Sequence, residues 1–295
     1  MRVGVTLPQT EMNNDPGSLR EYAQAVEGLG YDHIQSLDHV LGANAAGRPG
    51  WQGPYDHTDL IHEPFVLFGY LAALTQSVEL VTTVIILPQR QTALVAKQAA
   101  AIDVLSGGRM RLGIGIGWND VEFEALGEDF HDRGRRSEEQ IEVLRALWTQ
   151  DLVTYEGRWH TITDAGINPL PVQRPIPIWI GGGADATLRR IARLGDGWFP
   201  QFRPDEEGRG KLGRLHEYTR EAGRDPGDIG IDGPIRIAGR SQEEWVLDAA
   251  AWRDLGATHL SVNTRNSGLS FPDGHIDAIR RFMDSARATG LLDEG

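Results

Sequence analysis

Along most of the chain, short aliphatic runs alternate with longer stretches whose apolar residues recur every three or four positions. The short runs read as strands at Val3–Leu7, His33–Ser36, Glu79–Ile86, Met110–Ile116, Ile176–Ile180, Gly197–Pro200, Ile235–Ala238 and His259–Val262. The longer stretches read as helices. Their stripes include Ile141, Leu144 and Trp148; Leu188, Ile191 and Ala192; Trp245, Ala249 and Trp252; and Ile276, Ile279 and Met283. From Ala93 to Leu105 small and aliphatic residues lie nearly all round, which predicts a helix packed on more than one side. Ser106-Gly107-Gly108 ends it, and Gly195 and Gly256 stand at two further expected helix ends.

Strand and helix alternating from end to end predict a parallel sheet with helical crossovers. Eight such strands in 295 residues suit one domain of the TIM (β/α)8 kind, spanning 1–295. Two segments exceed a minimal barrel. Gly42 to Pro54 is rich in Gly, Pro and Ala and follows the second strand, so it predicts a long loop at the catalytic face. Leu152 to Pro177 reads as a short hairpin and an extended, proline-rich arm, inserted between the fourth helix and the fifth strand.

Composition narrows the classes. Hydrophobic residues make up 40% and charged residues 24%, as in a soluble globular protein. No apolar run reaches membrane-span length, and MRVGVTLPQ lacks the apolar core of a signal peptide, so a cytoplasmic location is expected. With no cysteine, disulfides and thiolate metal sites are excluded. A net charge of −13 argues against nucleic acid as a partner and leaves a small molecule as the expected one.

Several residues are candidates for chemistry. Gly113, Gly115 and Gly117 share one face of a strand and let another body approach its backbone, either a ligand or a neighbouring segment of the barrel. Gly181-Gly182-Gly183 lies between a buried strand and an amphipathic helix, where free N–H groups bind anions; a plain tight turn is the alternative. Asp38-His39 follows the second strand, and an imidazole exchanges protons readily near neutral pH. By position alone, His39 also reads as an ordinary histidine before a helix. Arg203, just past the sixth strand, stands where it can grip an anionic substrate or a cofactor tail, or simply lie in solvent. His57, His62 and Glu63 match no metal-ligand spacing, and no metal is expected.

Taken in order, LPQ at 7–9, SLDHVLG at 36–42, EPF at 63–65, the stretch 82–118, FEALGEDFHDRGRRSEEQIEVLRALW at 123–148, PIPIWIGGGA at 175–184 and GDGWFP at 195–200 resemble the luciferase-like monooxygenase superfamily. The resemblance is to its branch that uses the deazaflavin coenzyme F420, and it spans nearly the whole chain. It implies a closed TIM barrel, an oxidoreductase, and coenzyme F420 as cofactor, with FMN the alternative. It implies hydride transfer to or from a small organic substrate; an FMN-dependent monooxygenase and a non-catalytic flavin-binding barrel are the rivals. It assigns proton transfer to His39 and cofactor contacts to Asp38, Thr83, Val84, Ile86, Ile116, Gly117, Gly182, Gly183 and Ala184. A non-proline cis peptide is implied at Thr83-Val84, the phosphate arm near Gly183, an insertion covering the active site at 152–177, and a homodimer. Trp118 stands where the sugar-phosphate dehydrogenases of this branch carry an acid, so it is expected to wall the substrate pocket, across from His39.

Overall fold

The computed structural model describes residues 1–292. The chain runs β1 (Arg2–Thr6), α1 (Pro16–Gly28), β2 (His33–Ser36), α2 (Pro64–Leu74), β3 (Glu79–Thr82), β4 (Ile85–Ile86), α3 (Thr92–Ser106) and β5 (Met110–Gly115). It continues through α4 (Asp120–Leu126), α5 (Arg133–Thr149), β6 (Val153–Glu156), β7 (Thr161–Ala165), β8 (Ile178–Gly181), α6 (Asp185–Leu194) and β9 (Gly197–Phe199). It ends with α7 (Glu206–Glu221), β10 (Gly230–Arg236), α8 (Gln242–Asp254), β11 (His259–Asn263) and α9 (Asp273–Ala288).

Eight parallel strands close into a barrel in the order β3-β2-β1-β11-β10-β9-β8-β5, and β5 pairs back onto β3 through Leu80–Met110 and Val81–Arg111. The main apolar core lies between strands and helices and holds the helix stripes that the sequence marks, from Ile141 and Trp148 to Phe282 and Met283. Inside the barrel a much smaller apolar group, Val81, Trp179 and Phe199, sits above polar side chains. There Arg111 reaches Glu79 at 3.1 Å and Asp232 at 3.6 Å, and Asp232 accepts from Ser261 at 2.6 Å and Gln35 at 2.9 Å. Among the described residues no helix is long and apolar enough to cross a membrane.

Three expectations need correction. The seventh barrel strand is Gly230–Arg236, not Ile235–Ala238. Its Gly-Ile-Asp-Gly-Pro start reads as a turn, yet Gly230 and Gly233 are there because tryptophans lie on them: a Cβ would come within 2.4 Å of Trp179 and 2.5 Å of Trp252. The run 79–86 is not one strand but β3 and β4, parted at Thr83–Val84, whose peptide bond is cis. Gly195 ends α6 with φ −86°, so it is not a left-handed cap; a Cβ there would meet the Ile191 carbonyl at 3.1 Å.

The segment 152–177 does form an antiparallel hairpin, β6 on β7, followed by an arm. It does not cover the barrel mouth. The hairpin's His160 bonds Glu139 of α5 and Thr92 of α3, and the arm's Gln173 bonds Asp103 and the Met110 carbonyl, at the end of β5 away from the mouth. The insertion is clamped to the outside of α3 and α5.

Candidate active site

The C-terminal ends of β2, β4, β5 and β8 surround a cavity of 480 Å³. Asp38 and His39 enter it after β2, Thr83, Val84 and Ile86 from the broken third strand, and Ile116, Gly117 and Trp118 after β5. Gly182, Gly183 and Ala184 complete it after β8. Residues up to 146 positions apart in sequence thus meet at one place, and Arg203 alone of the candidates lies outside it, in an adjoining cavity of 620 Å³.

The Asp38 carboxylate is not free to hold a cofactor amide. Oδ1 accepts from Arg90 Nη2 at 2.7 Å, and Oδ2 accepts from the Ile86 N–H at 3.0 Å and from Arg90 Nε. The side chain is 1% exposed. Asp38 therefore ties the second strand's end to β4. Arg90 also reaches Glu63 at 2.9 Å, and Glu63 caps α2 through the Val66 N–H, which gives that acid a structural task in place of metal binding. Burial pulls the Arg90 guanidinium down, and its two carboxylates more than offset this and hold it above its usual value.

His39 has a partner that sequence spacing does not reveal. Its Nδ1 lies 3.1 Å and 3.2 Å from the two carboxylate oxygens of Glu122, in the first turn of α4. Glu122 also accepts from the N–H groups of Val40 and Leu41 and from Gln89 Nε2. Burial raises its carboxyl, but the His39 bond, the His39 charge and these donors outweigh it and hold the group below its ordinary value. An ionised carboxylate opposite Nδ1 requires a proton on that nitrogen, which leaves Nε2 as the ring atom available to a ligand.

Trp118 does not face His39 across the cavity. It packs edge-on against it, ring centroids 5.6 Å apart, and Tyr55 packs on the imidazole at 4.9 Å. Trp51 stacks on Trp118 at 5.6 Å, so the Gly42–Pro54 loop is held down as an aromatic rim.

The three glycines around β5 have different neighbours. Cβ atoms would come within 1.8 Å of the Thr82 carbonyl at Gly113, 2.6 Å of Val84 at Gly115, and 2.7 Å of Ile86 at Gly117, which also has φ +76°. The body that approaches this strand is the barrel's own third strand. Gly115 and Gly117 nonetheless line the cavity, and their bareness lets Val84 and Ile86 form its apolar wall.

At the β8 end, Gly182 has φ +117°, which glycine tolerates and other residues rarely adopt. Gly183 is open, its nearest neighbour being Lys211 with Nζ 4.0 Å from a built Cβ. Ala184, the N-cap of α6, supplies no side-chain acceptor, so the helix's first N–H groups are left for a ligand. An apolar wall, a bare glycine step, a helix N-terminus and a nearby lysine suit a flat ring carrying a phosphate arm. Glu122, Tyr55 and Lys211 escape sequence reasoning because each works through residues far away in the chain; an acid in the first turn after Gly115-Trp118 is the one visible hint.

An eight-stranded parallel barrel with a polar, aromatic-rimmed cavity at its C-terminal mouth defines a (β/α)8-barrel protein of the enzyme kind. The chain belongs to the luciferase-like monooxygenase family, whose model matches residues 1–286. It is 40% identical over 212 residues to an uncharacterized protein of Mycobacterium tuberculosis, covering 72% of this chain and 70% of that one. It is 30% identical over 263 residues to the FMNH(2)-dependent dimethylsulfone monooxygenase of Pseudomonas putida, covering 86% of this chain and 68% of that one. Its fold is that of an F420-dependent secondary alcohol dehydrogenase solved with an F420-acetone adduct, with TM-score 0.79, 18% identity and 99% of both chains covered. Members of this family are oxidoreductases and monooxygenases, and both deazaflavin and flavin enzymes share the fold.

Proposed function

We propose that this protein passes a hydride between coenzyme F420 and a small organic substrate, with His39 handling the accompanying proton. The observation that carries the reading is the His39–Glu122 pair in the wall of the cavity that Val84, Ile86 and the glycine step also line. The bound coenzyme would supply the hydride donor or acceptor. Val84, Ile86, Ile116 and Gly117 would pack on its ring, and Gly182, Gly183 and Ala184 would receive its phosphate arm. Reducing a carbonyl forms a C–H bond and moves the C=O π pair onto oxygen, which must then take a proton. His39 Nε2 is set to give it, with Glu122 keeping the Nδ1 proton in place and holding the imidazolium before transfer. In the oxidative direction the same nitrogen accepts the proton. Trp118 and Tyr55 would shield this exchange from water.

One observation favours a second reading. A relative 30% identical to this chain is FMNH(2)-dependent, which supports an FMN-dependent monooxygenase. Fluorescence-quenching titration of the purified protein with coenzyme F420 and FMN separates the two. We expect F420 to bind about tenfold more tightly, a difference of about 1.4 kcal/mol. Tighter FMN binding would replace the first reading with the second, and binding of neither would overturn both.

We infer further that two copies associate through α2 and α3, where Val66, Leu94 and Leu105 are 74%, 51% and 70% exposed.

A further inference from the structure

We infer that the substrate is an organic anion whose carboxylate or sulfonate group is held by Arg236 and Arg265. This rests on the oxidoreductase reading above and adds to it the chemical class of the substrate.

Arg203, Arg236 and Arg265 border the 620 Å³ cavity beside the proposed cofactor cavity. Among the described residues, none of the three pairs with a carboxylate, whereas Arg240 in the same wall is neutralised by Asp248. Carboxylates are not scarce: the chain has 42 acidic against 29 basic residues, so a group of guanidiniums without partners is not a matter of supply. Uncompensated charge of one sign in a cleft focuses the field on an incoming ion of the opposite sign.

Position ties two of these arginines to the chemistry. Arg236 ends β10 on the same face as Asp232 and Pro234, and Asp232 bonds Gln35 and Ser261 inside the barrel, so Arg236 stands at the inner rim. It also lines a 260 Å³ cavity on the barrel axis, together with Arg265, Thr83 and Val84. In the strand order, β10 lies opposite β3, so Arg236 faces the Thr83–Val84 step across the barrel. Arg265 donates from Nη1 to Tyr55 Oη at 2.6 Å, and its Nε is buried without a partner. Tyr55 in turn packs on His39. An acid group accepting from Arg236 and Arg265 would therefore anchor one end of a substrate while its other end reaches toward Val84 and His39. Guanidinium is suited to this, since its planar fork meets a carboxylate or sulfonate with two parallel hydrogen bonds.

The test compares methanesulfonate with dimethyl sulfone, close in shape and differing in charge, by calorimetric titration of the full chain. We expect methanesulfonate to bind more tightly by about tenfold. Arg236→Gln and Arg265→Gln should each weaken it by about tenfold while leaving the F420 and FMN affinities unchanged. Gly183→Asp should leave methanesulfonate binding as it is. Equal or tighter binding of the sulfone overturns the proposal. So does an equal loss of cofactor affinity in the arginine variants, which would make these residues a clamp for the cofactor tail. Loss of methanesulfonate binding in Gly183→Asp would put the anion at α6 and overturn it too. Failure of both coenzymes to bind would fall on the oxidoreductase reading, and the anion site would be decided by the methanesulfonate titration alone.

Discussion

His39 Nδ1 lies 3.1 Å from Glu122 Oε1, 83 residues further along the chain, and the same oxygen accepts the Val40 N–H at 2.9 Å. One carboxylate thus fixes both the imidazole and the backbone that carries it. A positioned acid or base with an orienting carboxylate is the arrangement that makes proton transfer efficient at a chosen atom.

His39→Ala should keep its cofactor affinity, because the glycine step and the apolar wall are untouched. Turnover should fall by roughly 10²–10⁴-fold, as for loss of a general acid or base. Glu122→Gln should leave binding intact too and lower turnover by about 10²-fold, since a neutral amide can hold the ring but cannot favour the imidazolium. Steady-state rates with a turned-over substrate check both. Wild-type turnover in His39→Ala would remove the histidine from the chemistry.

Gly183→Asp should fold normally, since nothing lies within 3.9 Å of the new Cβ. Its carboxylate would stand among free N–H groups of the α6 start and repel a phosphate there. Cofactor affinity should fall by at least about tenfold in the quenching titration. Unchanged affinity in a folded variant would mean that the phosphate arm lies elsewhere.

The sequence made the barrel legible because seven of its eight strands are aliphatic runs and its helix stripes point into one core. The seventh strand was hidden, since Gly230, Gly233 and Pro234 carry turn chemistry yet serve tryptophan packing. The cavity residues were legible as motifs at strand ends, where a barrel concentrates its chemistry. What each motif does was less so. Asp38 is spent on Arg90, and Gly113 makes room for Thr82 and not for a ligand. Glu122 and Tyr55 matter only through contacts with His39, and pairings between distant segments leave no periodic trace.

Gly113→Ala should be strongly destabilising. The added Cβ would lie 1.8 Å from the Thr82 carbonyl oxygen and 2.7 Å from the Phe199 ring, while Thr82 Oγ1 bonds both backbone groups of Gly113. No flexible side-chain end is there to yield at Thr82, so the loss should reach about 3 kcal/mol or more. Gly69→Ala is the control: it sits inside α2 with its nearest atom at 3.9 Å, and should gain up to about 1 kcal/mol from helix propensity. Urea midpoints compare the two. A Gly113 variant as stable as the wild type would contradict the packing described at β5.

Leu105→Glu tests the proposed dimer. Leu94 and Leu105 lie on one face of α3 and stay largely exposed in the single chain. Light scattering at micromolar concentration should give a dimer for the wild type and a monomer for the variant. A wild-type monomer would end the proposal.

The last prediction concerns pH and the base of the barrel. His259 packs edge-on against Trp179 at 4.9 Å. Burial, with the Arg111 guanidinium nearby adding to it, drives its imidazole down to about 3 from an ordinary 6.5; Asp232 opposes this only in part. His33, fully buried beside Asp232, is likewise lowered by burial. Below pH 6.5 the unfolded chain therefore takes up protons that the folded barrel refuses. Stability is complete above pH 6.5 and declines as pH falls from 6.5 toward 3, by at most about 1.4 kcal/mol per pH unit from His259. Asp232 acts lower down. Burial raises it, but His33 and Arg111 outweigh this and hold it at about 2, so its contribution is lost between about pH 4 and 2. Urea denaturation at pH 7, 6 and 5 should show the decline, with a shallower slope in His259→Gln, which has no proton to gain. Equal slopes in the two proteins would mean that His259 is protonated as readily in the folded barrel as in the unfolded chain.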